Sequence, residues 1–341
     1  MKSSFLKFPA LLAASSAILL SACGGGGGGD APAASSSQQA STITVANAND
    51  VAAQTYAASN SLNDQVSGSA GMVIGVSVET HSTGLLNAAM QQLYRALDAK
   101  PAAMAVGVEA TNTINCSGGG TLSFAYKVTD TATITSGDTV AISASNCVED
   151  GARLNGGLTI TFASASGTPS PSSAWSAAMT MKFANLAITG NGVTDTANGD
   201  ITLSYSRTAA GAETFSATGA SLQTGTTKSS GTASRTMSNY EYSGDVTPAD
   251  LYTYRDNFTI TGNLPRLGSN VTYTVKTLTD FKQLGNAYPH QGAMIVTASD
   301  KTSLTFTVLN NTSVQIGVDK NGDGTVDDTM TKSWSEFSSL F

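Results

Sequence analysis

From Leu122 onward the chain repeats one pattern, apolar residues at every second position in runs broken by Gly, Asn and Asp. Leu122, Phe124, Tyr126 and Val128 open the series, followed by Val140 and Ile142, and then by Leu158, Ile160 and Phe162. Met179, Met181 and Phe183 continue it, as do Ile201, Leu203 and Tyr205. The last third repeats it in Phe258 and Ile260, in Val271, Tyr273 and Val275, in Leu304, Phe306 and Val308, and in Val314, Ile316 and Val318. A period of two belongs to strands with one buried face. Parallel neighbours need crossovers of a dozen or more residues, usually helical, and no such run separates these segments. The expected fold is therefore mainly β, an antiparallel sheet shaped as a meander, a sandwich or a half-barrel. Strand spacing does not choose among these shapes.

Ahead of this series the period changes. Leu85, Leu86, Ala89, Met90, Leu93, Tyr94 and Leu97 form one stripe at helical spacing, with Ser82 or Thr83 placed to cap it and Pro101 beyond its end. Asn47 to Leu62 sets Val51, Thr55, Ala58 and Leu62 at the same spacing, a weaker helix, and Met72 to Val78 reads as an apolar strand. One or two short N-terminal helices packed on the sheet are expected. Residues 155–162 (NGGLTITF) and 198–205 (NGDITLSY) match in type over eight positions and read as convergent turn-plus-strand patterning. Thr168 to Ser173 and Gly225 to Gly231 read as loops, and the first of these weakly marks a subdivision near residue 168.

The N-terminus says where such a domain would reside. Lys2 and Lys7 precede an apolar run from Phe8 to Leu20, and Ser21-Ala22 supplies two small residues before Cys23. The run is too short to span a bilayer, which takes ~20 apolar residues, so residues 1–22 read as a signal peptide. Leu20-Ser21-Ala22-Cys23 resembles the lipobox of bacterial lipoproteins. That resemblance implies diacylglycerol on the Cys23 thiol, cleavage before it and acylation of the new amino group. Gly24 at the next position, where aspartate would retain the protein, implies export to the outer membrane, on its periplasmic or its surface face. Residues 23–42 then form a Gly/Ala/Ser tether with a reach of about 25 Å, and 43–341 form the β-rich domain.

Loss of Lys2 and Lys7 with the leader takes 17 basic residues to 15 against 24 acidic ones, a net charge of −9 with histidines neutral. An acidic chain with no basic stripe is no nucleic-acid binder. Besides Cys23 the cysteines are Cys116 and Cys147, an even pair in an oxidising compartment, and a disulfide is expected.

Asp319-Lys-Asn321-Gly-Asp323-Gly324-Thr325-Val-Asp327 resembles the calcium loop of EF-hand and dockerin proteins. The resemblance implies a structural Ca²⁺ held by the side chains of Asp319, Asn321 and Asp323, the Thr325 carbonyl and Asp327. Position 12 of the loop is Met330 in place of the usual glutamate, and a strand precedes the loop, which argues for a static clip and against a sensor.

Tyr240, Tyr242, Tyr252 and Tyr254 lie close to Glu241, Asp245, Asp250 and Asp256, a combination that can serve sugars, but their spacing by two suits packing on one sheet face. Trp175 and Trp334 are expected to plug the sheet. The sequence contains no G-x-S-x-G, H-E-x-x-H or P-loop pattern, and its two histidines are His81 and His290. The leading reading is a membrane-anchored envelope lipoprotein with a non-enzymatic surface, binding or structural β domain. A carboxylate-dependent glycan hydrolase and a carrier of an apolar ligand are the competing classes.

Overall fold

Alternation becomes a single continuous sheet. The computed structural model describes residues 41–63, 85–100 and 109–340, apart from positions 131, 132, 150, 230 and 286. Residues 1–40, with the expected leader, Cys23 and most of the expected tether, lie outside that set, as do the expected strand at Met72 to Val78, Ser82, Thr83, His81 and Pro101. So do the side chains of Leu62, Leu85 and Leu86.

Among the described residues there are fourteen strands: β1 (Glu109–Asn115), β2 (Thr121–Lys127), β3 (Thr139–Glu149), β4 (Ala152–Gly167), β5 (Trp175–Gly190), β6 (Val193–Arg207) and β7 (Glu213–Lys228) in the first half. The second half holds β8 (Gly231–Val246), β9 (Leu251–Leu264), β10 (Gly268–Leu284), β11 (Gln291–Ala298), β12 (Ser303–Asn310), β13 (Ser313–Asp319) and β14 (Asp328–Ser333). Each pairs antiparallel with the next, in the order β1 to β14, and among the described residues β1 and β14 are the edge strands of an open sheet. Of the three expected shapes the chain takes the meander, which needs only short hairpin connections. Strands β4 and β5 pair through a hairpin around residue 168, so the sheet is continuous there. Gly225 to Lys228 belong to β7, paired with Gly231 to Ser234 of β8, so the expected loop at 225–231 is mostly strand.

One face of the sheet is apolar and covered. Helix α1 (Ala48–Asn63) buries Val51, Ala52, Ala53, Gln54, Thr55 and Tyr56 in succession, so it is enclosed on every side. Its small residues let the sheet approach closely, which an amphipathic reading of the segment understates. Helix α2 (Leu85–Asp98) turns Ala89, Met90, Leu93 and Tyr94 inward as its stripe requires. It is tied to the sheet by the Tyr126 hydroxyl, which donates to Ala96 O at 2.6 Å, and by Arg95 with Glu149 at 2.7 Å. A third helix, α3 (Trp334–Ser338), was not expected, although Ser333-x-x-Glu336 is a capping-box signature. In the structure Ser333 Oγ accepts from Glu336 N, and Glu336 Oε2 accepts from Ser333 N at 2.9 Å.

Tyr56 of α1, Phe281, Phe306, Trp334 and Phe337 form one ring cluster with centroids 4.9 to 6.4 Å apart. Such pairs contribute ~0.5 to 1.5 kcal/mol each beyond the area they bury. Trp175 and Trp334 are both buried, as plugs of the sheet should be. Residues just ahead of α1 are strapped to β10 and to the turn between β11 and β12. Ser41 Oγ accepts Thr272 N at 2.8 Å, and Ile43 N donates to Thr302 Oγ1 at 2.8 Å.

Asp256 sits in this core with 1% of its surface exposed. Its Oδ1 accepts the Thr277 hydroxyl at 3.0 Å. Burial raises its pKa above the ordinary carboxylate value, and the Ser59 and Thr277 hydroxyls only partly oppose this. The stabilisation from the protonated form is complete below the ordinary carboxylate pKa of about 3.9. It is lost as pH rises through the raised folded value. Asp256→Asn should therefore gain on the wild type as pH rises. Thermal melts across that range check this, and a melting difference that stays flat with pH would refute it.

Candidate functional site

Seven strands, β4 to β10, run for 14 to 17 residues each. Register shifts interrupt the ladders between Asn155 and Gly157, Phe183 and Leu186, Gly199 and Thr202, Ser238 and Glu241, and Lys276 and Phe281. They form a line of bulges across the middle of the sheet, where extra residues bend the strands and increase their twist.

The two matching Asn-Gly segments belong to this line. They are mid-strand bulges, and the expectation that they begin strands after turns is corrected. Asn155 Oδ1 accepts Asn146 N at 2.8 Å, and Asn198 Oδ1 accepts Asn185 N at 3.3 Å, so each side-chain amide satisfies a donor freed from the ladder. Asn146 and Asn185 take left-handed φ of 47° and 49°, which asparagine tolerates better than most residues. Glycine follows Asn155 and Asn198 because the partner backbone passes close by. A Cβ on Gly156 would lie 2.1 Å from Asn185 O, and one on Gly199 would lie 2.6 Å from Ser221 O.

Beside this bend a cleft of about 600 Å³ crosses β5 to β10. Asn185 and Asn198 stand at one end, Asn263 and Asn270 at the other. The second pair repeats the device, with Asn263 Oδ1 accepting Asn270 N at 3.3 Å. Two register rows run between the ends. Asn198, Gln223, Thr236 and Thr261 pair across β6 to β9 in one, and Thr196, Gly225, Ser234 and Asn263 in the next. These positions alternate with the core residues Ala197, Leu222, Ala233, Met237 and Ile260, so their side chains belong to the outer face.

Arg235 and Thr224 also border the cleft but share the parity of Ala233, Met237 and Leu222, which sends them to the core face. There Arg235 Nε and Thr224 Oγ1 are shielded without hydrogen-bond partners. Asp195, of the same parity, accepts the Thr226 hydroxyl at 2.8 Å. Burial lowers the Arg235 pKa and raises that of Asp195, and each charge partly offsets the other's shift.

The tyrosines form no platform. Tyr240, Tyr242, Tyr252 and Tyr254 are all buried in the core, and Tyr254 stacks on Phe281 at 5.2 Å. Their carboxylate neighbours are dispersed, Glu241 on the exposed face and Asp256 in the interior. His290 is exposed in the turn before β11.

Cys116 and Cys147 form the disulfide, with Cα atoms 5.4 Å apart, and pin the end of β1 to β3 beside the Asn146 bulge. Among the described residues these sulfurs and Glu149 are the group of three ligand-type side chains within 4.8 Å of one another. A bonded pair of sulfurs is not a metal site.

The loop between β13 and β14 is ordered by its own side chains. Buried Asp319 accepts Asn321 N and Gly322 N on Oδ1, at 3.2 and 2.7 Å, and Gly324 N on Oδ2 at 2.8 Å. Asn321 Oδ1 accepts Asp323 N, Asp323 Oδ1 accepts Thr325 N, and Asp327 Oδ2 accepts Lys320 N. The Thr325 hydrogen bond holds the Asp323 carboxyl below its ordinary pKa. Gly322 and Gly324 take φ of 73° and 86°, where a side chain would be strained. The oxygen set suits a hard cation such as Ca²⁺ in chemistry; Asp319 Oδ1 spends both lone pairs on Asn321 N and Gly322 N, whereas Asp319 Oδ2, Asp323 Oδ1 and Asp327 Oδ2 each keep one beyond the backbone hydrogen bond. Met330, at position 12 of the loop, pairs with Ile316 inside β14 and packs against the core.

Comparison with protein-family models, with curated proteins and with solved structures finds no match to this chain.

The bend and the cleft depend on glycine at Gly262, where a Cβ would lie 2.1 Å from Ser234 O and 2.8 Å from the Arg235 Cα. Gly262→Ala should destabilise the domain by ~1 to 3 kcal/mol, the usual range for overpacking. Denaturant titration measures this, and an unchanged midpoint would show that the backbone there yields freely.

Proposed function

We propose that the chain is an envelope lipoprotein, held at the outer membrane by lipid on Cys23, whose sheet domain binds a partner on its outer face and performs no catalysis. The observation that carries this reading is the cleft across β5 to β10, lined on the outer face by carboxamides and hydroxyls. Carboxamides and hydroxyls both donate and accept hydrogen bonds, which suits recognition. Among the described residues no carboxylate pair and no nucleophile beside a base lines the cleft, which supports binding over acid–base chemistry there.

The opposite face supports the same reading from the other side. It is filled by α1, α2, α3 and their aromatic rings, which leaves the outer face for partners. Among the described residues no helix is long and apolar enough to cross a membrane. Several acyl chains, at ~0.8 kcal/mol per buried CH₂, would hold the domain durably. Wild-type protein should incorporate labelled palmitate and fractionate with outer membranes, whereas Cys23→Ser should lose the label and become soluble. Labelling that persists in the variant would sink the anchor.

The role proposed for Ca²⁺ is structural, a clip on the last hairpin held by Asp319, Asn321, Asp323, the Thr325 carbonyl and Asp327. Because β14 is an edge strand and precedes α3, tightening this hairpin would stiffen the end of the sheet. Calcium should raise the melting temperature. Asp327→Asn, which can still accept the Lys320 N–H, should remove most of that rise while melting like the wild type in chelator. Equal calcium responses in the two proteins would exclude the site.

A further inference from the structure

We propose that the cleft across β5 to β10 is a binding site for a neutral saccharide chain, an inference that rests on the reading of this domain as a binding module. The argument begins with chemistry. The outer-row side chains Asn198, Gln223, Thr236, Thr261, Ser234 and Asn263 are all uncharged and all hydrogen-bonding. Sugar hydroxyls donate and accept at the same atom, and amide and hydroxyl side chains return both functions. A charged ligand would give up water there without gaining an opposite charge. The nearest ionic groups, Arg235 and Asp195, have core-face parity and pull on each other across that face.

The donors are also positioned in advance. The Oδ1 atoms of Asn198 and Asn263 are committed to the backbone N–H groups of Asn185 and Asn270, so their Nδ2 groups remain as donors at the two ends of the cleft. Groups locked by the scaffold bind at lower entropic cost than mobile ones.

Shape argues for a chain and against a single sugar. From β5 to β10 the cleft spans five strand spacings, roughly 24 Å, which places several rings in line. Gly225 keeps the floor low, since a Cβ there would lie 2.7 Å from Thr196 Oγ1. Among the described residues no aromatic side chain lines the cleft, so a single site binds weakly, with Kd on the order of 1 mM. Many copies displayed on one membrane recover affinity through multivalency.

The test captures the full lipidated protein on a supported bilayer and passes neutral hexasaccharides of glucose, mannose, galactose and N-acetylglucosamine over it, with hexagalacturonate as the acidic comparison. At least one neutral hexasaccharide should bind. Gln223→Ala, which trims an exposed side chain, and Gly225→Val, which fills the floor, should each weaken it about tenfold. The Gln223 variant keeps the test decisive where the valine impairs folding. Binding to hexagalacturonate alone, to no hexasaccharide, or with equal strength to both variants overturns the proposal. Failure of the protein to insert in the bilayer, with saccharide binding retained by protein coupled through amines, would overturn the lipid anchor and leave the saccharide site standing.

Discussion

A strand of sixteen residues run straight would extend for roughly 50 Å. Seven of that order lie side by side from β4 to β10, a slab that a 16-residue helix could not cover. The chain meets this constraint by breaking its long strands near the middle. Left-handed asparagine supplies the extra residue, side-chain amides recover the N–H groups it frees, and glycine admits the displaced backbone. Without those breaks the apolar face would be too broad and flat for three helices to fill. Burial of Tyr56, Phe281, Phe306, Trp334 and Phe337 in one cluster therefore rests on polar chemistry in the strands around it.

An open sheet carries a second constraint, its two free edges, because unpaired edge groups invite association with other chains. The edges are anchored by different means. At β1 the Cys116–Cys147 bond, closing a sequence separation of 31 residues, contributes roughly 3 to 4 kcal/mol in the chain-entropy account. The polypeptide nearby is also held by Gly118 N on Val148 O and Val148 N on Gly119 O, at 2.8 and 2.9 Å. At β14 the aspartate-rich loop precedes the strand, and α3 follows at once with its capping box.

The alternation that announced an antiparallel sheet needs only side-chain parity, and parity survives in the sequence. Leu122, Phe124 and Tyr126 are buried as their spacing requires, and so are Ala89, Met90, Leu93 and Tyr94 on α2. The choice of a meander over a sandwich was not readable, because it depends on which strands meet across space. Asn155-Gly156 and Asn198-Gly199 were visible as a pair but carried the wrong meaning. The same dipeptide serves a hairpin turn and a mid-strand bulge, and only the partner strand distinguishes them. The cleft was hidden for a related reason. Asn185, Asn198, Gln223 and Asn263 are far apart in the chain, each an ordinary polar residue of an outer face, until the register aligns them. Helix α3 is the opposite case, since its capping box, Ser333 with Glu336, is a local signal carried by the sequence itself.

The bend and the cleft share their parts. Asn198 closes a bulge by accepting the backbone N–H of Asn185 on one end of its amide and borders the cleft, and Asn263 does the same for Asn270 at the far end. A side chain committed to the backbone cannot drift, so the geometry that lets the inner face wrap its helices also sets the spacing of donors outside. Substituting such an asparagine with aspartate would keep the backbone acceptor and remove the Nδ2 donors, whereas alanine would remove both. Asn198→Asp therefore separates the two roles. A stable fold with a changed outer surface is the outcome that a shared part allows, and a purely structural amide would leave that surface's binding unaltered.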